Sequence, residues 1–405
     1  MSTHTIEQSD KTFTSATHMS PLVNEVLQQD SFYHPNLGGV TKGGMSNHYP
    51  MTILSLQGLG ASDEEIQRFS NMWPRQRAHV SQHLNLTDNQ SVNEHNWQDY
   101  LGEANYLLEF RRVFLTGLQK HDNSKQYITH ILYVMRNGLP MGLFHPLIRI
   151  SFAMIHGDAG LIADGLAYMA IRFNDLYKGS EFSGTTAIKD ENRLEKNASE
   201  AWQSVHTFIQ AEGKGISFKQ TIQGGSLHIG EQLCSEPAIH SLAFDHGMNI
   251  TQANILQKVA EISMCALRLY LHQPALTTLH AVTACQALAD ITKRSMPNID
   301  EESLNELVAL WERYWVWLTG MYIEKGYPKQ LPLIDKTLEN EIAHKDWQDL
   351  ALEARNILEV HLIKMVYSCK WFFENIEESV YYKLAVVKIL KERNAHPRTH
   401  YGLEK

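Results

Sequence analysis

Six stretches of this chain, 97–118, 161–177, 254–271, 276–293, 303–324 and 347–373, run without proline and carry apolar side chains three and four residues apart. That spacing commits them to helices, because a helix brings every third and fourth residue onto one face. In the first stretch Tyr100, Ala104, Leu107, Leu108 and Phe114 follow it. Ser62 and Glu65 form a capping box ahead of Ile66 and Phe69. Asp300 stands where an N-cap belongs, before the segment bearing Leu307, Leu310, Trp311, Tyr314 and Trp315. Strand-like alternation is best at 216–222, and that run is short. The expectation is an all-α fold, a single large irregular helical bundle; no recurring period suggests a solenoid. Residues 1–20, rich in Ser and Thr, read as a flexible N-terminal segment, and 21–405 as one domain. Within it, 179–186 and the charged stretch 190–199 read as a long loop, and 295–302 as a turn entering a helix.

Composition narrows the class. Apolar residues fill 43% of 405 positions and charged residues 20%, which suffices for a buried core. Lys and Arg number 36 against 45 Asp and Glu, a formal charge of −9. Nucleic acid is therefore not the expected partner, since phosphate binding needs a basic face. No membrane span is expected, because no apolar run approaches ~18 residues. Residues 1–30 lack the basic start and apolar centre of a signal peptide. Cys234, Cys265, Cys285 and Cys369 form no C-x-x-C pair, so reduced thiols in the cytoplasm are expected.

Histidine is abundant, with 21 in the chain. The segment His361-Leu-Ile-Lys364-Met-Val-Tyr-Ser368-Cys369 is the most informative. At ~100° per residue, His361, Lys364 and Ser368 fall within an arc of about 60°, while Asn356, Glu359, Lys370 and Glu374 cluster roughly 135° away. One stripe is the solvated face. The other, flanked by Leu358, Val360, Met365 and Cys369, reads as internal and would need polar partners. Against this stands a simpler reading, with both stripes wet and the Lys364 stem lying along apolar surface. His280 lies one turn into a helix among Ala281, Ala284 and Ala287, as a metal ligand or a hydrogen-bonded core histidine. His145 precedes Pro146 at a helix start, with Arg149 and His156 on a similar face; turn chemistry would also account for it. His48 opens another helix, where Asn47 is a candidate cap. No H-E-x-x-H, G-x-S-x-G or phosphate loop is present, and the pairs Gly38-Gly39, Gly43-Gly44 and Gly224-Gly225 read as turns.

Four segments, in order, resemble the signatures of the questin oxidase-like family. They are Asn47-His48-Tyr49-Pro50-Met51 with Leu56-Gln-Gly58-Leu59-Gly60; Phe144-His145-Pro146-Leu147-Ile148; Leu279-His280-Ala281-Val282-Thr283 with Ala287-Leu288; and His361-Leu362-Ile363-Lys364. Two positions depart: Arg149 stands where the family commonly has histidine, and Ala284 where it has glycine. Residues 179–235 carry no such resemblance. The resemblance implies a helical, flavin-free oxygenase of polycyclic aromatic or quinone-type substrates. It would use O2 for ring cleavage or a Baeyer–Villiger-like oxygen insertion. It further implies Fe(II) held between helices by His48, His145, His280, His361 and a carboxylated Lys364. NADPH is compatible with such chemistry, although no dinucleotide motif is visible. Arg149, His156 and Tyr367 are the candidates for contact with substrate.

The chemistry is coherent. A lysinium has no lone pair to give a metal. A neutral lysine can add CO2, and the carbamate is an anionic oxygen ligand on a long arm. Two rivals stand beside this reading: a metal-dependent hydrolase or lyase without redox chemistry, and a non-catalytic helical binding protein with a degenerate site.

Overall fold

The computed structural model describes residues 19–37, 39, 45–73, 92–178, 196–211, 243 and 248–398. The expected strand at 216–222, the loop at 179–186, most of 190–199, residues 1–18, the Gly224-Gly225 turn and Cys234 lie outside these. Gly38, Gly43 and Gly44 do too.

The described residues form fifteen α-helices: α1 (Pro21–Asp30), α2 (Tyr49–Gly58), α3 (Asp63–Met72), α4 (Leu107–Lys120), α5 (Ser124–Val134), α6 (His145–His156), α7 (Ala159–Arg172), α8 (Ala198–Ala211), α9 (Ile255–His272), α10 (Leu276–Ser295), α11 (Glu301–Glu324), α12 (Lys336–Ala343), α13 (Trp347–Ile357), α14 (Val360–Asn375) and α15 (Val380–Ala395). Among the described residues there is no strand; Asn36 and Ser46 form an isolated bridge. The fold is all-α. No described helix is long and apolar enough to cross a membrane.

Local chemistry sets the helix ends. The Ser62–Glu65 capping box closes on both sides, with Glu65 accepting from Ser62 N–H at 2.8 Å and Ser62 Oγ accepting from Glu65 N–H at 3.3 Å. Asp300 caps α11 through Ser303 N–H at 2.9 Å. The stretch 97–118 is helical only from Leu107, after two short 3-10 turns. Gly102 lies between those turns at φ +87°, and its N–H donates to Ala170 O at 2.8 Å. A Cβ there would sit 2.8 Å from Phe173 O, so only glycine permits this junction. The stretch 161–177 ends early, at Arg172, where Phe173 turns to extended backbone.

The largest departure is at 347–373, which forms two helices rather than one. Leu358 adopts φ 56°, left-handed, and closes α13. Glu359 is then extended and caps α14 through the N–H groups of His361 and Leu362. No glycine or proline marks the break in the sequence. Glu359 is therefore not on a solvated stripe with Lys370; it is 1% exposed.

The architecture turns on four helices. α2 packs on α6, α6 on α10, α10 on α14, and α14 on α2, which closes a ring. α7 backs α6 and is itself covered by α4, α9 and α11 back α10, and α13 and α15 back α14. α11 is buried almost from end to end and carries Trp311, Tyr314, Trp315, Trp317 and Tyr322 into the interior. One hydrophobic cluster runs through all these layers. Cys265, Cys285 and Cys369 are buried free thiols within it.

Candidate metal centre

Each helix of the central ring contributes one histidine, and the imidazoles meet in ring order. Ring centroids are 4.5 Å apart for His48–His145, 4.6 Å for His145–His280, 5.2 Å for His280–His361 and 4.8 Å for His361–His48. Ligand nitrogens of His48, His145 and His361 lie within 4.8 Å of one another. His280 Nε2 stands 3.1 Å from His145 Nε2. Lys364, one turn beyond His361, brings its Nζ to 3.1 Å from His48 Nδ1. All five side chains are buried. The stripe of His361, Lys364 and Ser368 is thus the internal one, and Ser368 Oγ donates to Gln286 Oε1 at 3.3 Å.

Helix starts place these candidate ligand side chains. His48 is the N-cap residue of α2, and Asn47 Oδ1 accepts from Tyr49 N–H at 3.1 Å. His145 is the first residue of α6 and is helical there (φ −56°, ψ −38°) despite the proline that follows. Gly142, Leu143 and Phe144 before it all have positive φ. This turn presents Gly142 O to His145 Nδ1 at 2.6 Å. His280 Nδ1 meets Leu276 O at 2.8 Å, and His361 Nδ1 meets Glu359 Oε1 at 2.9 Å.

Those partners decide the tautomers. A carbonyl or carboxylate oxygen only accepts, so Nδ1 of His145, His280 and His361 carries the proton. Burial holds all four imidazoles below the usual histidine range, with the Lys364 charge adding to the effect. They are neutral, and Nε2 of His145 and of His280 each present a bare lone pair to the other across 3.1 Å. Lone pair against lone pair is unfavourable unless a cation shares both. The donor set therefore fits a metal ion, and neutral imidazole suits Zn, Cu, Fe and Ni. Burial brings Lys364 down to about 7, against the pull of Glu359. A large share of the amine is then neutral at physiological pH and open to CO2.

The groups that hold these side chains in place were not legible in the sequence. Burial raises the Glu359 carboxyl, but hydrogen bonds from His361 and the charge of Arg393 outweigh this and take it down to about 2. Arg393 comes from α15, a helix absent from the six proline-free stretches. Asn47 Nδ2 donates to Asp30 at 3.0 and 3.2 Å, and Arg149 Nη2 reaches the same carboxylate at 3.4 Å. No local pattern links positions so far apart.

The three candidates for substrate contact have their close partners elsewhere. Arg149 is turned to Asp30, His156 Nε2 meets Asn24 Oδ1 at 2.7 Å, and the Tyr367 ring lies 5.0 Å from that of Phe152.

Asp164 on α7 lies beside this network, 2.5 Å from Arg111. Burial raises its carboxyl to about 6, against Arg111 and Arg149. Its folded pKa exceeds the unfolded value of ~3.9, so the fold holds the proton more tightly. That contribution is complete below about pH 4 and is lost as pH rises through about 6. Asp164→Asn should remove this slope and unfold later than the wild type at pH 7, by up to about 3 kcal/mol. Denaturant titrations at pH 4 and pH 7 check this; equal differences at both would refute it.

A family model described as Questin oxidase-like matches residues 45–369. No curated protein matches the chain. The matched span begins three residues before His48, ends five residues past Lys364, and takes in α2, α6 and α10 whole and α14 as far as Cys369. The chain belongs to the questin oxidase-like family.

Proposed function

We propose that this protein is a cytoplasmic, mononuclear non-heme iron oxygenase acting on a polycyclic aromatic or quinone-type substrate, with residues 21–405 as one catalytic domain. The observation that carries the proposal is the ring of four buried imidazoles, from four helices, closed by the Lys364 amine. Family membership supports an oxygenase over a hydrolase.

His48, His145, His280 and His361 would hold the iron through ring nitrogens, and Lys364 would supply an anionic oxygen as its carbamate. Iron in the ferrous state supplies the one-electron steps that let dioxygen react with a closed-shell aromatic. The chain's own residues do the rest. Neutral Lys364 Nζ forms a bond to the carbon of CO2 and sheds one proton, for which His48 Nδ1 at 3.1 Å is the adjacent base. The Nδ1 anchors at Gly142, Leu276 and Glu359 keep three imidazoles from rotating. Behind His145, Phe144 packs edge-on to Trp317 at 4.7 Å and lies 5.7 Å from Tyr314, so that flank is dry. A dry site strengthens the pull of charges inside it.

The test is metal analysis combined with an oxygen electrode. Protein loaded anaerobically with ferrous iron and given hydroxyanthraquinone substrates should consume O2 only when both are present. Stoichiometric zinc with no oxygen uptake would instead favour a hydrolase or lyase, and absence of any stoichiometric metal a binding protein.

A further inference from the structure

We propose that Glu359 is the positioning residue of the centre: its carboxylate fixes His361 as the Nδ1–H tautomer and turns the bare Nε2 into the cluster. The proposal rests on reading the cluster as a metal centre.

Three observations carry it. First, the carboxylate is fully engaged. Oε1 accepts from His361 N–H at 2.8 Å and faces His361 Nδ1 at 2.9 Å; Oε2 accepts from Leu362 N–H at 2.9 Å and from Arg393 Nε at 3.0 Å. One group thus caps α14, orients a ligand on its first turn and ties both to α15. Second, His361 differs from its neighbours. His145 and His280 lean on carbonyl oxygens, whereas His361 leans on a carboxylate, which draws the Nδ1 proton harder and makes Nε2 the stronger donor. Third, the fold accepts backbone strain to put it there. Leu358 is left-handed at φ 56°, a conformation unfavourable for a residue with a Cβ. Without that turn, α13 would run on into α14, and Glu359 could not reach back to the ring of His361.

The arrangement separates two roles that one substitution can split. Aspartate is a strong N-cap but one methylene shorter. Glu359→Asp should keep the cap and lose the reach to His361 Nδ1. It should fold and melt near the wild type. In the metal-free protein its His361 15N resonances should move from the Nδ1–H pattern toward a mixture of tautomers. Its affinity for cobalt(II), titrated through the visible bands, should fall ~10–100-fold, the usual effect of losing an outer-shell partner. Arg393→Met is the control. It removes the ion pair but not the His361 contact, so it should lower stability while leaving tautomer and cobalt affinity near wild type. A folded Glu359→Asp protein with an unchanged His361 tautomer would overturn the proposal. If the wild type takes up no cobalt, the metal reading fails, and the metal-free tautomer comparison still decides the role of Glu359.

Discussion

His361→Ala and Lys364→Met are each expected to give a folded protein that has lost nearly all of its bound metal. Both side chains lie inside the ring, and among the described residues no carboxylate joins the histidine group. The loss in affinity should be larger than the ~10–100-fold that removal of an outer-shell partner costs. The two variants should differ in stability. His361→Ala leaves Glu359 with one hydrogen bond fewer and opens a cavity in a close-packed interior. Lys364→Met removes an amine that burial has already pushed down to about 7 and replaces it with an apolar chain of similar length. Metal-free Lys364→Met should therefore melt at or above the temperature of metal-free wild type, a gain in stability set against lost function. Elemental analysis and calorimetry on metal-stripped protein check both parts. Full metal retention in either variant would remove that residue from the ligand set.

Arg149→Ala should destabilise the protein by about 3–5 kcal/mol, the usual cost of breaking a buried ion pair from one side. Arg149 and Asp30 are both buried, and the neutral amide of Asn47 also donates to the carboxylate. Removing the guanidinium takes a countercharge away from a buried carboxylate, and it also withdraws a cation that favours ionised Asp164. The double variant Asp30→Asn, Arg149→Ala should recover most of the loss, because no charge is then stranded. Denaturant midpoints for the two singles and the double form the cycle. A loss below ~1 kcal/mol in the single variant, the range of an exposed pair, would mean that water reaches Asp30. Metal affinity should weaken in parallel, because Asn47 joins this network to the backbone that carries His48.

Much of the helical frame follows from short-range pattern. Asn254 and Asp300 stand just before α9 and α11, and those helices run within two residues of the proline-free stretches. Periodicity works there because a buried helix face needs apolar residues at fixed spacing whatever it packs against. It fails where the reason for a break is tertiary. At Gly102 the chain turns to reach Ala170 O, and at Leu358 it turns so that Glu359 can bond Arg393 of α15. Neither partner is near in sequence.

The candidate site divides along the same line. The resemblance of four ordered motifs singles out His48, His145, His280, His361 and Lys364, and spacing places Lys364 one turn from His361 on a stripe that the sequence leaves either internal or wet. Sequence alone thus determined an all-α chain with five candidate ligand side chains. The tertiary structure decided that four helices close into a ring, that the imidazoles meet in its order, and which nitrogen of each anchored ring is protonated. It also decided that Glu359 is buried against His361 rather than wet. The physical reason is range. Helix periodicity and capping act over three or four residues, whereas convergence and tautomer depend on acceptors and backbone turns that packing alone brings together.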